Sequence, residues 1–439
     1  MTERPVQLYN VQYRRLFPWL HLARAFWIAV DFRKLLLAAT ALMLVSLGSL
    51  ACDQLPFGTP SPDEEPAAPD AGRWPWQWSL GYDLWHGGDG LAELRGGLRD
   101  PHHLLARITS NWQVVLLPFR EFIEPAARLF RADATWPQLA DGATRSLWNL
   151  IVWSLFGGAI TRIAAVQFAR DQQIGIRRAL LFSGARLPGY LSAPVMPLFA
   201  VAIFWALCVI GGWIGRIPGG AGAAILGVLW GLELLFGFLM AVVLIGAGIG
   251  WPLMFATISV EGTDGFDGLS RAYNYVFERP LYLLWQFIVT MLYGSLTIFF
   301  VWLMAQLLTQ LAVWGVSWGL GYDAVAGLLG FQHEPADSGP YAEAATAWGA
   351  GIAQGWMRVL SLLVVAFVHT FFWSSATIIY FVLRHSIDAN DFDEVYVEDT
   401  EEKDELLPLV GTAAMGEAAQ QPPAAGPDSQ SAPPVDLTP

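Results

Sequence analysis

The stretch RAYNYVFERPLYLLW, residues 271–285, places arginines and aromatic side chains directly before a long apolar run. A related pattern, RALLFSGARLPGYLSAP, begins at Arg178, and both copies read Arg-Ala, six residues, then Arg. A looser third copy, RAFWIAVDFRKLLLAA, begins at Arg24. A helix with rings on one face and guanidinium groups on the other is typical of a membrane–water interface. The recurrence therefore predicts three similar units, each a short interfacial helix that leads into membrane-spanning helices.

The composition indicates a multipass membrane protein. Of the 439 residues, 54% are hydrophobic and 14% are charged, and 21 are Trp. A helix needs about 20 mostly apolar residues to cross the hydrocarbon core. The expected fold class is all-α, a polytopic transmembrane helical bundle of about six spans arranged as three units of interfacial helix plus hairpin. The spans are predicted at residues 35–52, 146–168, 190–214, 221–245, 282–306 and 358–383.

The fourth span is followed by further apolar sequence, GAGIGWPLMFATISV, which continues to Val260. Two interpretations stay open for it. Either the helix tilts and overruns the bilayer, or the chain breaks near Gly250 and Pro252 and re-enters the membrane.

Lys and Arg beside the spans predict the orientation, because cytoplasmic loops are enriched in both. The connection 320–357 contains neither residue type, as expected of an outward loop. Both termini are therefore expected in the cytoplasm, with the protein in a bacterial inner membrane. The basic residues before the first span and between the second and third are Arg14, Arg15, Arg24, Arg33, Lys34, Arg170, Arg177, Arg178 and Arg186.

The spans divide the chain into five segments. The outward segment contains VVLLPFREFIEPAARLFRA, which is predicted to form an amphipathic helix on the outer membrane surface. The segments are a cytoplasmic interfacial helix (1–34), the first transmembrane helix (35–52), an outward linker and interfacial segment (53–145), a five-helix transmembrane region (146–385) and a disordered acidic, Pro-rich cytoplasmic tail (386–439).

The C-terminal tail carries most of the net charge of −13, with thirteen acidic residues from Ser386 onward against Lys403. Segments this polar, charged and proline-rich do not bury a core, which predicts disorder. The tail is interpreted as a solubilising extension or, alternatively, as a site that recruits a protein partner. Membrane lipids are the other expected partner, and nothing in the sequence indicates nucleic acid.

Around the copy that begins at Arg271, apolar residues recur at helical spacing from Phe266 to Phe277 and form one face of a helix. Arg271 and Asn274 lie outside this apolar face. Asp267 is the expected N-cap of this helix, and Pro280 is expected to end it. If the rings embed at headgroup depth, the guanidinium groups reach lipid phosphates. The candidate headgroup-binding residues are Arg24, Arg178, Arg186, Arg271 and Arg279.

Two ionisable residues lie near the middle of predicted spans, Glu233 in the fourth and His369 in the sixth. A charge at that depth costs about 2.5–3.5 kcal/mol on insertion scales, so each residue is expected to face protein or water and to have a partner. By depth alone they can pair. One interpretation is a proton-linked or substrate-binding site, and the alternative is a neutral hydrogen bond that fixes helix packing.

No catalytic constellation is evident, and no cofactor or metal site is expected. The chain has two Cys residues and contains no GxxxxGKS, HExxH or paired CxxC motif. GVSWG matches the nucleophile-elbow pattern around Ser317, but a transmembrane helix leads into it where that motif needs a strand. Asp100, His102 and His103 lack a further ligand for a metal. We therefore expect a protein that is not an enzyme.

The stretch SVEGTDGFDGLSRAYNYVFERPLYLLW, residues 259–285, resembles a motif of multipass membrane proteins of planctomycete-type bacteria, EG-x-D-x-FD-x-x-SRAY-x-YVF-x-RP. ARAFWIAVDFRKLLLAAT, residues 23–40, fits the same group. The resemblance implies an integral inner-membrane protein and no particular activity. The general layout is also similar to the membrane domains that accompany glycerophosphodiester phosphodiesterases, but the soluble barrel of those enzymes is absent from this sequence.

Two functional hypotheses follow. The first is a non-catalytic inner-membrane protein that binds lipid or organises a complex, which the recurring Arg and aromatic helices and the acidic tail favour. The second is a permease or transporter component, with Glu233, His369 and the Gly250–Pro252 break as its site.

Overall fold

The structure is a computed structural model. It describes residues 17–56, 74–78, 100, 102, 106, 108–109, 112–131, 133–218, 220–329 and 340–397. By its contacts the chain forms two units, Met1–Val395 and Tyr396–Pro439. Only Tyr396 and Val397 of the second unit are described, so the fold is that of the first.

The described residues form an all-α structure without strands, as predicted. Four 3-10 segments accompany the α-helices, at Pro18–Arg24, Pro75–Gln77, Trp112–Leu116 and Arg128–Phe130. The α-helices are α1 (Ala25–Ala29), α2 (Phe32–Asp53), α3 (Leu117–Ala127), α4 (Trp136–Arg170), α5 (Ile176–Ala185), α6 (Leu187–Gly215), α7 (Ala221–Glu261), α8 (Gly265–Glu278), α9 (Pro280–Leu320), α10 (Tyr322–Leu329) and α11 (Pro340–Asp388).

Six of these helices, α2, α4, α6, α7, α9 and α11, are long and apolar enough to cross a membrane. This agrees with the six predicted spans. The most apolar parts of α4 and α11 are mostly buried inside the protein, whereas that of α7 is not. Helices α4 and α11 therefore form the centre, and the early part of α7 packs with α6 as a hairpin at the periphery.

A short helix precedes the first, third and fifth long helices, where the Arg-Ala pattern predicted one. These are α1, α5 and α8. Arg24 bonds to Asp171 just beyond α4, and Arg186 donates to the Gly262 carbonyl just beyond α7. Tyr275 of α8 donates to Asp388 at the end of α11. The short helices therefore gather at one end of the bundle, which we call the basic end.

The start of α8 differs from the prediction by three residues. Asp264 is the N-cap, and its carboxylate accepts from the backbone amide of Asp267 at 3.0 Å. Asp267 was predicted as the cap, but it lies inside the first turn, where an acidic side chain also favours the positive helix end. The predicted stop is confirmed, since α8 ends at Glu278 and α9 begins at Pro280.

The break predicted near Gly250 and Pro252 as one alternative is wrong, because α7 is one continuous helix from Ala221 to Glu261. Residues 250–260 are buried in it. Gly262, which follows at φ 66°, accepts the left-handed conformation that ends the helix and turns the chain into α8.

The segment 112–127, most of which belongs to the stretch predicted to lie on the outer membrane surface, packs against the long helices α7 and α9. Phe122 stacks on Trp251 of α7, with ring centroids 4.0 Å apart. Val115 approaches Gly294 in the middle of α9 so closely that a Cβ at this glycine would lie 2.9 Å from the Val115 side chain. The apolar residues of VVLLPF therefore bury against long helices.

The first residues of the predicted disordered tail are packed against the bundle. Helix α11 runs to Asp388, and Phe392 lies between the rings of His21 and His385, with centroids 4.7 and 4.4 Å away. Arg384 donates to the Glu394 carbonyl and pairs with its carboxylate. Ordered chain thus extends beyond residue 386 to Val395, and residues 398–439 lie outside the described part.

Candidate functional site

The five arginines predicted to bind lipid headgroups fall into two groups. Arg24, Arg186 and Arg271 are used inside the protein, by Asp171, the Gly262 carbonyl and Glu261 respectively. Arg178 and Arg279 are exposed at the basic end. Exposure therefore separates Arg178 and Arg279 from the other three arginines, a difference that the sequence pattern does not show.

Each short helix at the basic end also exposes a large apolar side chain close to its arginines. Trp27 is 74% exposed, Leu181 is 61% exposed, and Leu281 at the start of α9 is 80% exposed. On α5 the exposed face is Arg177, Arg178 and Leu181, while Phe182 packs inward. Exposed apolar side chains beside guanidinium groups are what an interfacial helix presents to a bilayer.

A buried network centres on Glu261 at the end of α7. Its Oε1 accepts from Arg271 Nη1 at 2.8 Å and from the Tyr380 hydroxyl at 2.5 Å, and Arg384 Nε lies 3.3 Å away. The carboxylate is thus held by two guanidinium groups and a phenol. The network joins α7, α8 and α11, and through Arg384 it extends to Glu394.

Burial and neighbouring charge act on the titratable groups of α8 within this network. Burial raises the pKa of the Tyr275 hydroxyl, and its hydrogen bond to Asp388 raises it further. Burial is the largest influence on the pKa of Arg271 and lowers it, but the negative charge of Glu261 together with Tyr380 and Tyr275 outweighs burial, so the net change is a rise. Both groups are therefore held in their protonated forms at neutral pH.

A second polar network lies deeper, where α4, α6 and α7 meet. The Ser259 hydroxyl is 2.5 Å from that of Thr161 and 2.7 Å from that of Tyr190. Arg162, which is fully buried, donates to the Ser259 carbonyl and lies over the Phe182 ring. Arg162 is therefore part of the protein core.

Glu233 and His369 do not contact each other, although their similar predicted depths in the membrane were compatible with a pair. The Glu233 carboxylate lies against α6, where a Cβ added to Gly211 would meet its Oε1 at 1.7 Å, and it interacts with Cys208. His369 uses both ring nitrogens elsewhere. Its Nδ1 is 3.0 Å from the Val365 carbonyl, and its Nε2 is 3.1 Å from Glu121 Oε2.

The partner of His369 therefore comes from the inserted segment that was predicted to lie outside the bundle. The imidazole is completely buried and stacks on Trp153 of α4, with centroids 5.1 Å apart and planes within 1°. The Glu121 side chain is 18% exposed. Glu121 follows Arg120 in a stretch of mixed polar and apolar residues, so the local sequence does not identify it as the partner of His369.

Other candidates from the sequence carry no chemistry in the described residues. Ser317 lies within α9 and donates to the Val313 carbonyl, so it is not on a strand-to-helix turn. In the described part of the chain no three His, Cys, Asp or Glu groups are placed to hold a metal ion. His103, one of the residues considered for a metal, lies outside that part.

Comparison with known proteins gives no family assignment. No protein-family model matches the chain, and neither a curated protein nor a solved structure is significantly similar to it.

Proposed function

We propose that the chain is a non-catalytic multipass membrane protein of the bacterial inner membrane whose basic end binds anionic lipid headgroups. The observation that supports this best is the pairing of exposed arginines with exposed apolar side chains on the short helices. Arg178 lies beside Leu181 on α5, and Arg279 lies beside Leu281 at the α8–α9 junction. Lipid bound at these points positions the bundle, and the acidic tail extends into the cytoplasm for a partner protein.

The orientation in this proposal follows from the distribution of basic residues. Five basic positions lie at or near the ends of α4, α5 and α8, at the basic end, and anionic lipids of the cytoplasmic leaflet attract such clusters. The basic positions are Arg170, Arg177, Arg178, Arg186 and Arg279. The two native cysteines, Cys52 and Cys208, are replaced, and a single cysteine at exposed Asn274 is then labelled in intact cells. We expect no reaction with a membrane-impermeant reagent, and labelling from outside the cell would contradict the orientation.

Lipid binding is tested with purified full-length protein by native mass spectrometry at increasing phosphatidylglycerol concentration. Each Lys or Arg near an anionic surface contributes about 1 kcal/mol. Losing two such contacts in Arg178→Glu with Arg279→Glu therefore weakens phosphatidylglycerol binding by roughly 30-fold or more. Phosphatidylcholine binding is expected to stay unchanged, because that headgroup carries no net charge.

A matched control reverses two arginines outside the basic end. Arg131 follows the inserted segment, and Arg216 follows the far end of α6. The variant Arg131→Glu with Arg216→Glu makes the same charge change, and we expect it to bind phosphatidylglycerol like the unaltered protein. Equal loss in both double variants, or no loss in either, would refute a headgroup site at the basic end.

A further inference from the structure

The buried contact between Glu121 and His369 has a protonation state that its geometry constrains. His369 Nδ1 faces the Val365 carbonyl at 3.0 Å, and a carbonyl oxygen only accepts. The hydrogen therefore lies on Nδ1, which leaves Nε2 of a neutral imidazole as an acceptor. The 3.1 Å contact of Nε2 with Glu121 Oε2 then requires one more hydrogen, either on the carboxyl group or on Nε2.

Both arrangements hold one proton between the two side chains. In the first, a neutral carboxylic acid donates to a neutral imidazole, and in the second an imidazolium donates to a carboxylate. Removing this proton leaves one ring hydrogen for two acceptors, the Val365 carbonyl and the Glu121 carboxylate. While that hydrogen stays on Nδ1, a carboxylate lone pair faces a nitrogen lone pair, and the contact with Glu121 breaks. The attachment of segment 112–127 to α11 at this point thus depends on a proton.

We propose that Glu121 and His369 form a proton-binding site inside the helix bundle, in which binding and release of the proton make and break the link between segment 112–127 and α11. Ionisable groups at this depth are costly unless paired, and such pairs serve proton relays in transport proteins. The proposal concerns a different part of the molecule from the lipid surface and does not rest on it.

The surroundings suit a site that exchanges its proton. The imidazole is fully buried, and the Glu121 side chain beside it is 18% exposed, although its Oε1 atom is buried. The face of the Trp153 indole lies parallel to the imidazole, and an indole face attracts a cation. The ring therefore has a favourable neighbour in its charged form as well as in its neutral form.

In the described part of the chain, no charged side chain other than Glu121 contacts the ring. Among the described residues, Glu121 is the charged group within hydrogen-bonding distance of His369. Trp78, from a segment without titratable groups, also lies near the ring. The remaining charged groups of α3, α4 and α11 that have described side chains are Arg120, Glu124, Asp141, Arg145, Arg162, Arg170, Arg358, Arg384, His385 and Asp388.

The test uses the full-length protein in liposomes, labelled with 15N-histidine, and solid-state NMR at about pH 5 and about pH 9. The chain has 7 His, and the His369 signals are those lost in His369→Gln. If that variant does not fold, they are the signals that shift in Trp153→Phe. We expect the Nε2 signal of His369 to change between the two spectra. In Glu121→Gln we expect that change to be lost, because an amide donates to Nε2 and pins the neutral ring.

Glu124→Gln is the matched control, since it removes a carboxylate one turn further along α3 without a hydrogen bond to His369. We expect it to keep the pH-dependent change. An unchanged His369 signal in the unaltered protein would overturn the proposal and leave a static hydrogen bond. A response in Glu121→Gln equal to that of the unaltered protein would overturn it as well.

Discussion

Removing the charge of Glu261 is the sharpest test of how the basic end is held together. In Glu261→Gln the amide oxygen can still accept from the Tyr380 hydroxyl, but Arg271 loses its counter-charge and Arg384 keeps only that of Glu394. Breaking a buried pair from one side typically costs about 3–5 kcal/mol. Arg384 is 9% exposed but keeps its pair with the exposed Glu394 carboxylate, and Arg271 is 41% exposed and is screened by water, so both lower the expected loss. We therefore expect a loss of about 2–4 kcal/mol in unfolding free energy.

Glu394→Gln is a matched control for this loss. It makes the same carboxylate-to-amide change on a partner of the same Arg384, but the Glu394 side chain is 54% exposed. Exposed ion pairs contribute about 0–1 kcal/mol, so Glu394→Gln is expected to lower the unfolding free energy by no more than about 1 kcal/mol.

Both variants are compared by SDS-induced unfolding in mixed micelles, followed by circular dichroism. The expected result is a midpoint for Glu261→Gln at clearly lower SDS than for Glu394→Gln. If the two variants unfold together, or if Glu261→Gln unfolds like the unaltered protein, burial of Glu261 does not organise this end of the bundle.

Two further predictions concern packing and pH. Gly294→Ala would place a Cβ 2.7 Å from the Phe371 ring and 2.9 Å from Val115. We therefore expect the unfolding free energy measured in SDS to fall by about 1–3 kcal/mol. Gly315 lies on an open part of the same helix, so Gly315→Ala is expected to leave the unfolding free energy unchanged or to raise it slightly. Burial raises the pKa of Tyr273 from 10.0 to about 12. Because the folded state holds this proton more tightly, the unfolding free energy is expected to fall as pH rises from 10 to 12. This fall should be less steep in Tyr273→Phe than in the control Tyr322→Phe. Equal pH dependence of the unfolding free energy in the two variants would contradict a role for Tyr273.

Much of the fold was predictable because hydrocarbon imposes a strong length requirement on apolar helices. The positions of α5 and α8 were also predictable, because the same pattern of Arg-Ala, six residues and Arg stands before an apolar run at Arg178 and at Arg271. The break expected at Pro252 in one alternative does not occur, because Pro252 lies in the buried part of α7, residues 250–260, where packing supports a continuous helix.

The candidate sites were less predictable, because they depend on residues that are distant in sequence. His369 has its carboxylate partner 248 positions earlier, and nothing in either local pattern specifies that pairing. Arg271 and Glu261 are only ten residues apart, but they meet because Gly262 reverses the chain between two helices. A periodic pattern identifies which face a residue occupies and does not identify what lies opposite.

The insertion of segment 112–127 among the long helices has a consequence for the order of assembly. This segment is synthesised well before Gly294 and His369, the residues it packs against in α9 and α11. The Ala29 carbonyl likewise accepts a hydrogen bond from the hydroxyl of Thr370, which lies 341 positions later in the sequence. During synthesis the early segments therefore lack these contacts until the last helix has been made. The packing of the interior can be completed only when the chain is complete.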